Sequence, residues 1–169
     1  MGRRRILRCG LLVLALQVGG HSFAATFEGT VSRVVDGDTV WVRAAGDASG
    51  RSPRPIKLRL QGIDAPERCQ AWGAQATAAL SARVLHQRVE VSTRAKDDYQ
   101  RTLGNLLLNG DDVSAWMVAQ GHAWSYHHRH SGGPYAEQEQ QARAARRGLF
   151  ADPAAMEPRW FRRDHGACL

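Results

Sequence analysis

Ile56-Lys57-Leu58-Arg59-Leu60 alternates apolar and charged residues without a break. A period of two places Ile56, Leu58 and Leu60 on one face and Lys57 and Arg59 on the other. The segment therefore reads as a half-buried strand whose charged face looks toward solvent or ligand. Pro66 follows soon after and cannot continue a central ladder, so residues 62–67 are expected to be loop.

The flanking sequence supplies further strands. Residues 26–42 are rich in β-branched side chains and are interrupted by Asp36-Gly37-Asp38. This predicts strands over 27–35 and 39–43, joined by a tight turn in which glycine provides unusual backbone angles. Residues 44–53 are a small-residue loop. Residues 71–87 lack proline, are alanine-rich and carry Ala76, Leu80 and Val84 at helical spacing, which predicts a helix. Residues 88–94 and 102–108 alternate again, with a polar hairpin loop over 96–101. A short helix is expected over 113–119, before Gly121, and a polar-faced one over 135–147, before Gly148. Residues 152–169 are punctuated by proline and show no clear period. Three strands, a helix, two strands and then helices make an α+β chain with a mainly β core. The order suits an OB-fold five-stranded β-barrel with about three α-helices. Other small α+β folds share it.

The N-terminus has a different character. Four arginines lie within the first eight residues, an apolar run follows, and Ser22-Phe23-Ala24 presents small residues where a signal peptidase reads. This is the layout of a secretory signal over 1–24, cleaved after Ala24 or Ala25. The rival is an uncleaved anchor, against which the apolar run falls short of the roughly 20 residues a spanning helix needs. The expected organisation is a signal (1–24), a globular domain (25–150) and a C-terminal tail (151–169), with a secreted or periplasmic location. Removing Arg3, Arg4, Arg5 and Arg8 lowers the formal charge from +7 to +3, which fits an anionic partner without requiring one. The same cleavage leaves two cysteines, Cys69 and Cys168. In an oxidising compartment an even pair often means a disulfide, and a loop this long gives a chain-entropy upper figure of about 4–5 kcal/mol. Two unrelated free thiols are the alternative. A hydrophobic content of 43% with 23% charged residues is ordinary for a globular domain and excludes a disordered or multi-span chain.

Chemistry-bearing residues concentrate in short segments at strand ends and in loops: Asp36-Gly37-Asp38-Thr39, Arg59 leading into Asp64-Ala65-Pro66-Glu67, and Asp97-Asp98-Tyr99-Gln100-Arg101. With the strands paired as assigned, these segments converge on one side of the barrel. Carboxylates gathered in one place repel unless a cation joins them, and Asp and carbonyl oxygens suit a hard divalent ion such as calcium.

Asp36-Gly37-Asp38-Thr39-Val40, Leu58-Arg59-Leu60 with Ile63-Asp64-Ala65-Pro66-Glu67, and Tyr99-Gln100-Arg101 resemble the signature segments of the staphylococcal nuclease (thermonuclease) family. The similarity continues through Leu103-Gly104-Asn105 and Val118-Ala119-Gln120-Gly121. The resemblance implies an OB-fold barrel and an exported Ca2+-dependent endonuclease that hydrolyses DNA and RNA phosphodiesters with low sequence specificity and leaves 3′-phosphate ends. It implies that Asp38, Asp64 and the carbonyl of Ala65 hold the ion, with Asp36 as an outer ligand. The family more typically has threonine where Ala65 stands; a carbonyl ligand survives that change. Arg59 and Arg101 would meet the charge that accumulates on the equatorial phosphate oxygens in the transition state. Glu67 would orient or deprotonate the attacking water.

Taken singly, each residue has an ordinary reading: solvated turn acids, a strand arginine in a salt bridge, a helix-preceding glutamate. Their joint order carries the functional one. Tyr99 is either a base-stacking side chain or a loop anchor, and Tyr126 a nucleotide contact. The run from His122 to His130 is read as exposed loop, with a second aromatic and basic contact as its functional alternative. Asp98 stands where a basic residue would favour phosphate. Trp160, Phe161, Arg162 and Arg163 are expected to pack on the barrel, with contact to substrate as the alternative. A monomer without stable membrane association after signal removal is expected. A catalytically silent binding module is the competing function, but such domains usually lose the acids and arginines that this chain retains.

Overall fold

A computed structural model describes residues 25–46, 53–97, 99–127, 131–166 and 168. The expected signal over 1–24, Asp98 and the histidines at 128 and 130 lie outside them.

The core is a closed barrel. Strands β1 (Ala25–Val34), β2 (Thr39–Ala44) and β3 (Ile56–Leu60) form an antiparallel meander. A two-residue strand β4 (Ile63–Asp64) and helix α1 (Gly73–Val84) follow, then β5 (Arg88–Lys96) and β6 (Thr102–Leu108). β5 pairs with β1, β6 with β5, and β6 closes the cylinder by running parallel to β3. A five-stranded barrel without open edges along its main strands is the OB-type arrangement expected from the element order.

Alternation explains the filling. Leu58 and Leu60 are fully buried, together with Val31, Val40 and Val42, Val91 and Leu106 from the neighbouring strands. Ala76, Leu80 and Val84 lay one face of α1 into the same core. The chain then makes β7 (Asp111–Asp112), α2 (Val113–Ala119), β8 (Trp124–Ser125), α3 (Ala136–Ala144) and a 3-10 turn at Gly148–Ala151. Asp112 caps α2, accepting from the backbone N–H groups of Ser114 and Ala115.

Several expectations change. Ile63 and Asp64, expected in a loop, form the short strand β4 and pair with β8. The α1 helix is shorter than 71–87 because Trp72 and His86 adopt left-handed backbone angles, φ 70° and 64°, at its two ends. The tail contains a helix, α4 (Pro158–His165), with proline in its first turn and Gly166 at φ 76° ending it. Eight residues are too few to show a period in sequence. The start of the 122–130 run is interior and not exposed loop: Ala123, Trp124 and Ser125 are buried, and β8 pairs with β4 through Asp64↔Trp124. His122 accepts a hydrogen bond at Nδ1 from Trp72 Nε1 (3.2 Å) and stacks on that ring, and burial lowers its pKa.

Candidate active site

The β1–β2 turn sets the first carboxylates. Val35 N–H donates to the Thr39 carbonyl at 2.8 Å, and Asp38 N–H donates to Asp36 Oδ1 at 3.0 Å. Gly37 is not at positive φ, contrary to the expectation for this turn. Its requirement is space: a Cβ there would lie 2.6 Å from the Ala65 Cβ. The glycine thus lets the turn press against the Asp64-Ala65 segment. Asp38 is 3% exposed and Asp64 4%.

Arg59 sits opposite Thr39 on β2 and Leu103 on β6, which directs it to that junction. Its guanidinium bridges the two aspartates, Nη1 to Asp38 Oδ1 at 2.5 Å and Nη2 to Asp64 Oδ1 at 2.9 Å. Asp38 also accepts from Ala65 N–H (3.1 Å) and from the Thr39 hydroxyl (2.9 Å). Burial raises the Asp38 pKa, but the Arg59 charge and these hydrogen bonds outweigh it, so the net shift is downward. Burial and the Asp38 charge push Asp64 upward. Asp36 is pushed up to about 7, first by burial and then by the charge of Asp38.

Glu67 lies on the loop between β4 and α1. Its backbone N–H donates to Gln70 Oε1 (3.1 Å), and Gln70 N–H donates back to the Glu67 carbonyl (2.9 Å). Gly73 is needed here too, because a Cβ would fall 1.9 Å from that carbonyl. The Glu67 side chain is paired with Arg162 of α4, Nη1 to Oε1 at 2.6 Å. The same guanidinium reaches Asp64, with Nη2 to Oδ2 at 3.2 Å. Sequence reasoning favoured packing for Arg162 over substrate contact and did not foresee its pairing with Glu67 and Asp64. The one signal for its position was the cysteine count: Cys69 stands two residues after Glu67, and it is disulfide-bonded to Cys168 beyond α4.

Two adjoining clefts open over this network. One, of about 640 Å3, is lined by Asp36, Asp38, Glu67 and Tyr99. The other, of about 740 Å3, is lined by Arg94, Asn105, Tyr126 and Tyr135. Arg59, Arg101 and Arg162 line both, so three guanidiniums form the shared wall. Arg101 is held by Asp97 (Nε to Oδ2, 2.7 Å), and its guanidinium lies over the Tyr99 ring at 5.2 Å. Tyr99 is 81% exposed and Tyr126 50%. The structure thus gathers Asp36, Asp38, Arg59, Ala65, Glu67, Tyr99 and Arg101 at one cleft and sets Tyr126 in its neighbour. Asp64 lies beneath Arg59 and Arg162.

Asp36, Asp38, Asp64 and Glu67 bring four carboxylates to two guanidiniums, those of Arg59 and Arg162. Full ionisation leaves two negative charges unbalanced by those guanidiniums, and the Asp38 charge adds to burial in raising Asp36. No three His, Cys, Asp or Glu side chains among the described residues form a ready cage. The donors on offer are two buried carboxylates and a backbone carbonyl, hard oxygens that leave room for water. Their chemistry and excess charge fit a divalent cation of the calcium or magnesium type.

A closed barrel carrying buried acids beneath an arginine-walled cleft suits a hydrolase acting on phosphodiesters, because planar guanidiniums match phosphate oxygens and the acids can hold a cation. Residues 57–152 match the family of staphylococcal nuclease homologues. The chain belongs to that family, whose members are metal-dependent nucleases, and it is a nuclease acting on nucleic acid. It is 36% identical to protein ParB of Escherichia coli, over 94% of this chain and 92% of that protein. It is 38% identical to a micrococcal nuclease of Shigella flexneri, over 82% of each. An uncharacterized endonuclease of Haemophilus influenzae is 35% identical over 96% of this chain and 88% of its own length.

Proposed function

We propose that the chain is an exported, Ca2+-dependent endonuclease that hydrolyses DNA and RNA with low sequence specificity, as a monomer, by attack of water on phosphorus. One observation carries the reading: the buried Asp38–Arg59–Asp64 bridge lies beside Glu67 under a cleft walled by Arg101. Asp38, Asp64 and the Ala65 carbonyl would hold the ion, with Asp36 acting through water. A bound divalent ion would polarise the phosphate and favour ionisation of water.

The chain's own residues do the rest. Arg59 and Arg101 present planar donors to the equatorial oxygens, where charge grows on the way to the five-coordinate transition state. Glu67 orients the attacking water or takes its proton. Tyr99 and Tyr126, one in each cleft, offer faces to the nucleotides flanking the scissile bond. Cleavage of the 5′ P–O bond leaves 3′-phosphate ends. Export rests on the arginine-rich, apolar leader over 1–24, and the Cys69–Cys168 disulfide suits an oxidising compartment. Among the described residues no helix is long and apolar enough to cross a membrane.

The decisive assay incubates purified protein with single-stranded DNA and RNA, with calcium and then with excess chelator. Cleavage with calcium that stops with chelator is expected. Full activity in chelator removes the ion from the reading. Undiminished activity of Glu67→Ala removes Glu67.

A further inference from the structure

Both ends of α4 are tied to the loop that carries Glu67. Before the helix, Gln70 Nε2 donates to the Met156 carbonyl at 2.5 Å. After it, Cys168 is bonded to Cys69. Gln70 and Cys69 are neighbours, and Gln70 also receives the Glu67 backbone N–H. The helix is therefore fixed to the same few residues that set the position of Glu67, and Arg162 points back from it. The distances are 2.6 Å to Glu67 Oε1, and 3.2 and 3.4 Å to the two oxygens of Asp64. An ion pair this short between half-buried groups fixes a carboxylate in one orientation. The separation of 95 residues rules out a local accident of one helix or turn.

We infer that Arg162 is a positioning residue of the nuclease site, acting through Glu67, and that the Cys69–Cys168 disulfide holds it there. Two consequences follow, with opposite signs. Clamping Glu67 aims its carboxylate at the attacking water, which favours turnover. Holding Asp64, and adding a positive charge beside it, opposes entry of a divalent cation. Reducing the disulfide removes the covalent tie at the end of the helix and leaves non-covalent contacts to hold it, among them the Gln70–Met156 bond and the Arg162 ion pairs. Activity therefore becomes sensitive to the redox state of a bond far from the reacting atoms in sequence. The inference rests on the role proposed for Glu67.

The test measures kcat and KM on single-stranded DNA, and separately calcium affinity by calorimetry without substrate, on the disulfide-bonded protein. Arg162→Ala is expected to lower kcat about 10–100-fold, the range typical of lost outer-shell support, and to tighten calcium binding several-fold. Arg162→Lys should recover part of kcat. Simple structural damage would weaken both, so a parallel loss of kcat and calcium affinity overturns the inference, as does an unchanged kcat. In a Glu67→Ala background Arg162→Ala should cost no further kcat while still tightening calcium binding, because the loss passes through Glu67. A full additional loss there overturns the positioning role. An active Glu67→Ala single variant instead overturns the function proposed for Glu67. The Cys69→Ser/Cys168→Ser protein should shift both quantities in the same directions as Arg162→Ala, by less. Parent-like values of both would remove the disulfide from the device.

Discussion

The same task is proposed for Arg59 and Arg101, yet the fold holds them in opposite ways. Arg59 rises from a barrel strand and bridges two buried aspartates, with 16% of its side chain exposed. Arg101 follows a loop and is held by Asp97, four residues earlier, and by a lone aromatic face that is itself exposed. One guanidinium belongs to the charge balance of the interior. The other belongs to a local turn at the rim. The difference teaches that loss of activity alone does not separate a catalytic arginine from a structural one.

The largest expected effect follows directly. Arg59→Ala and Arg101→Ala should each lower kcat/KM by about 10²–10³-fold, since each removes a preorganised donor. Stability should divide them. Arg59→Ala leaves the buried Asp38 without a counter-charge and Asp64 with Arg162 alone, and is expected to cost about 3–5 kcal/mol without calcium. Arg101→Ala breaks a partly exposed pair and should cost at most about 1 kcal/mol. Urea titrations in chelator measure both, and equal losses would abolish the contrast. Calcium should restore part of the stability lost in Arg59→Ala, because it replaces a positive charge between the same acids.

Asp36 sharpens the buried half of the comparison. Its folded pKa is about 7, against an ordinary value of 3.8. A raised acid contributes stability that is complete below pH 3.8 and is lost as pH rises to about 7. Asp36→Asn keeps the oxygen that accepts from Asp38 N–H and removes the charge. In chelator it should stabilise the protein by about 1–2 kcal/mol at pH 8, and by nothing below pH 4. A pH-independent gain would mean that the effect is packing and not charge.

Much of this site was legible because alternation and spacing encode it. The run from Ile56 to Leu60 gives the face that Arg59 occupies, and the order of the three acidic and arginine segments gives their company. Gly37 shows where local rules misled. The turn chemistry suggested unusual backbone angles, whereas the real demand is clearance from Ala65, a residue remote in sequence. The stretch His122 to Ser125 was misread for a similar reason, since polar and aromatic composition says nothing of a Trp72 ring waiting to cover it. Arg162 was the hardest to foresee. It sits on a helix too short for a period, and it reaches Glu67 across a separation whose one sequence-legible bridge is the cysteine pair.

Tyr99 tests the rim half with the smallest expected effect. Its ring is 81% exposed and meets the Arg101 guanidinium, so it has little core packing to lose. Base stacking on an aromatic ring contributes about 1–3 kcal/mol, and exposure and the flexibility of a loop argue for the lower end. Tyr99→Ala should therefore raise KM by up to about tenfold, and Tyr99→Phe should leave it near the parent value. Their kcat should differ little, because Asp97, and not Tyr99, makes the direct hydrogen bonds that orient Arg101. A fall in kcat with unchanged KM would instead make Tyr99 a support for Arg101, and the rim arginine would then be held as cooperatively as the buried one.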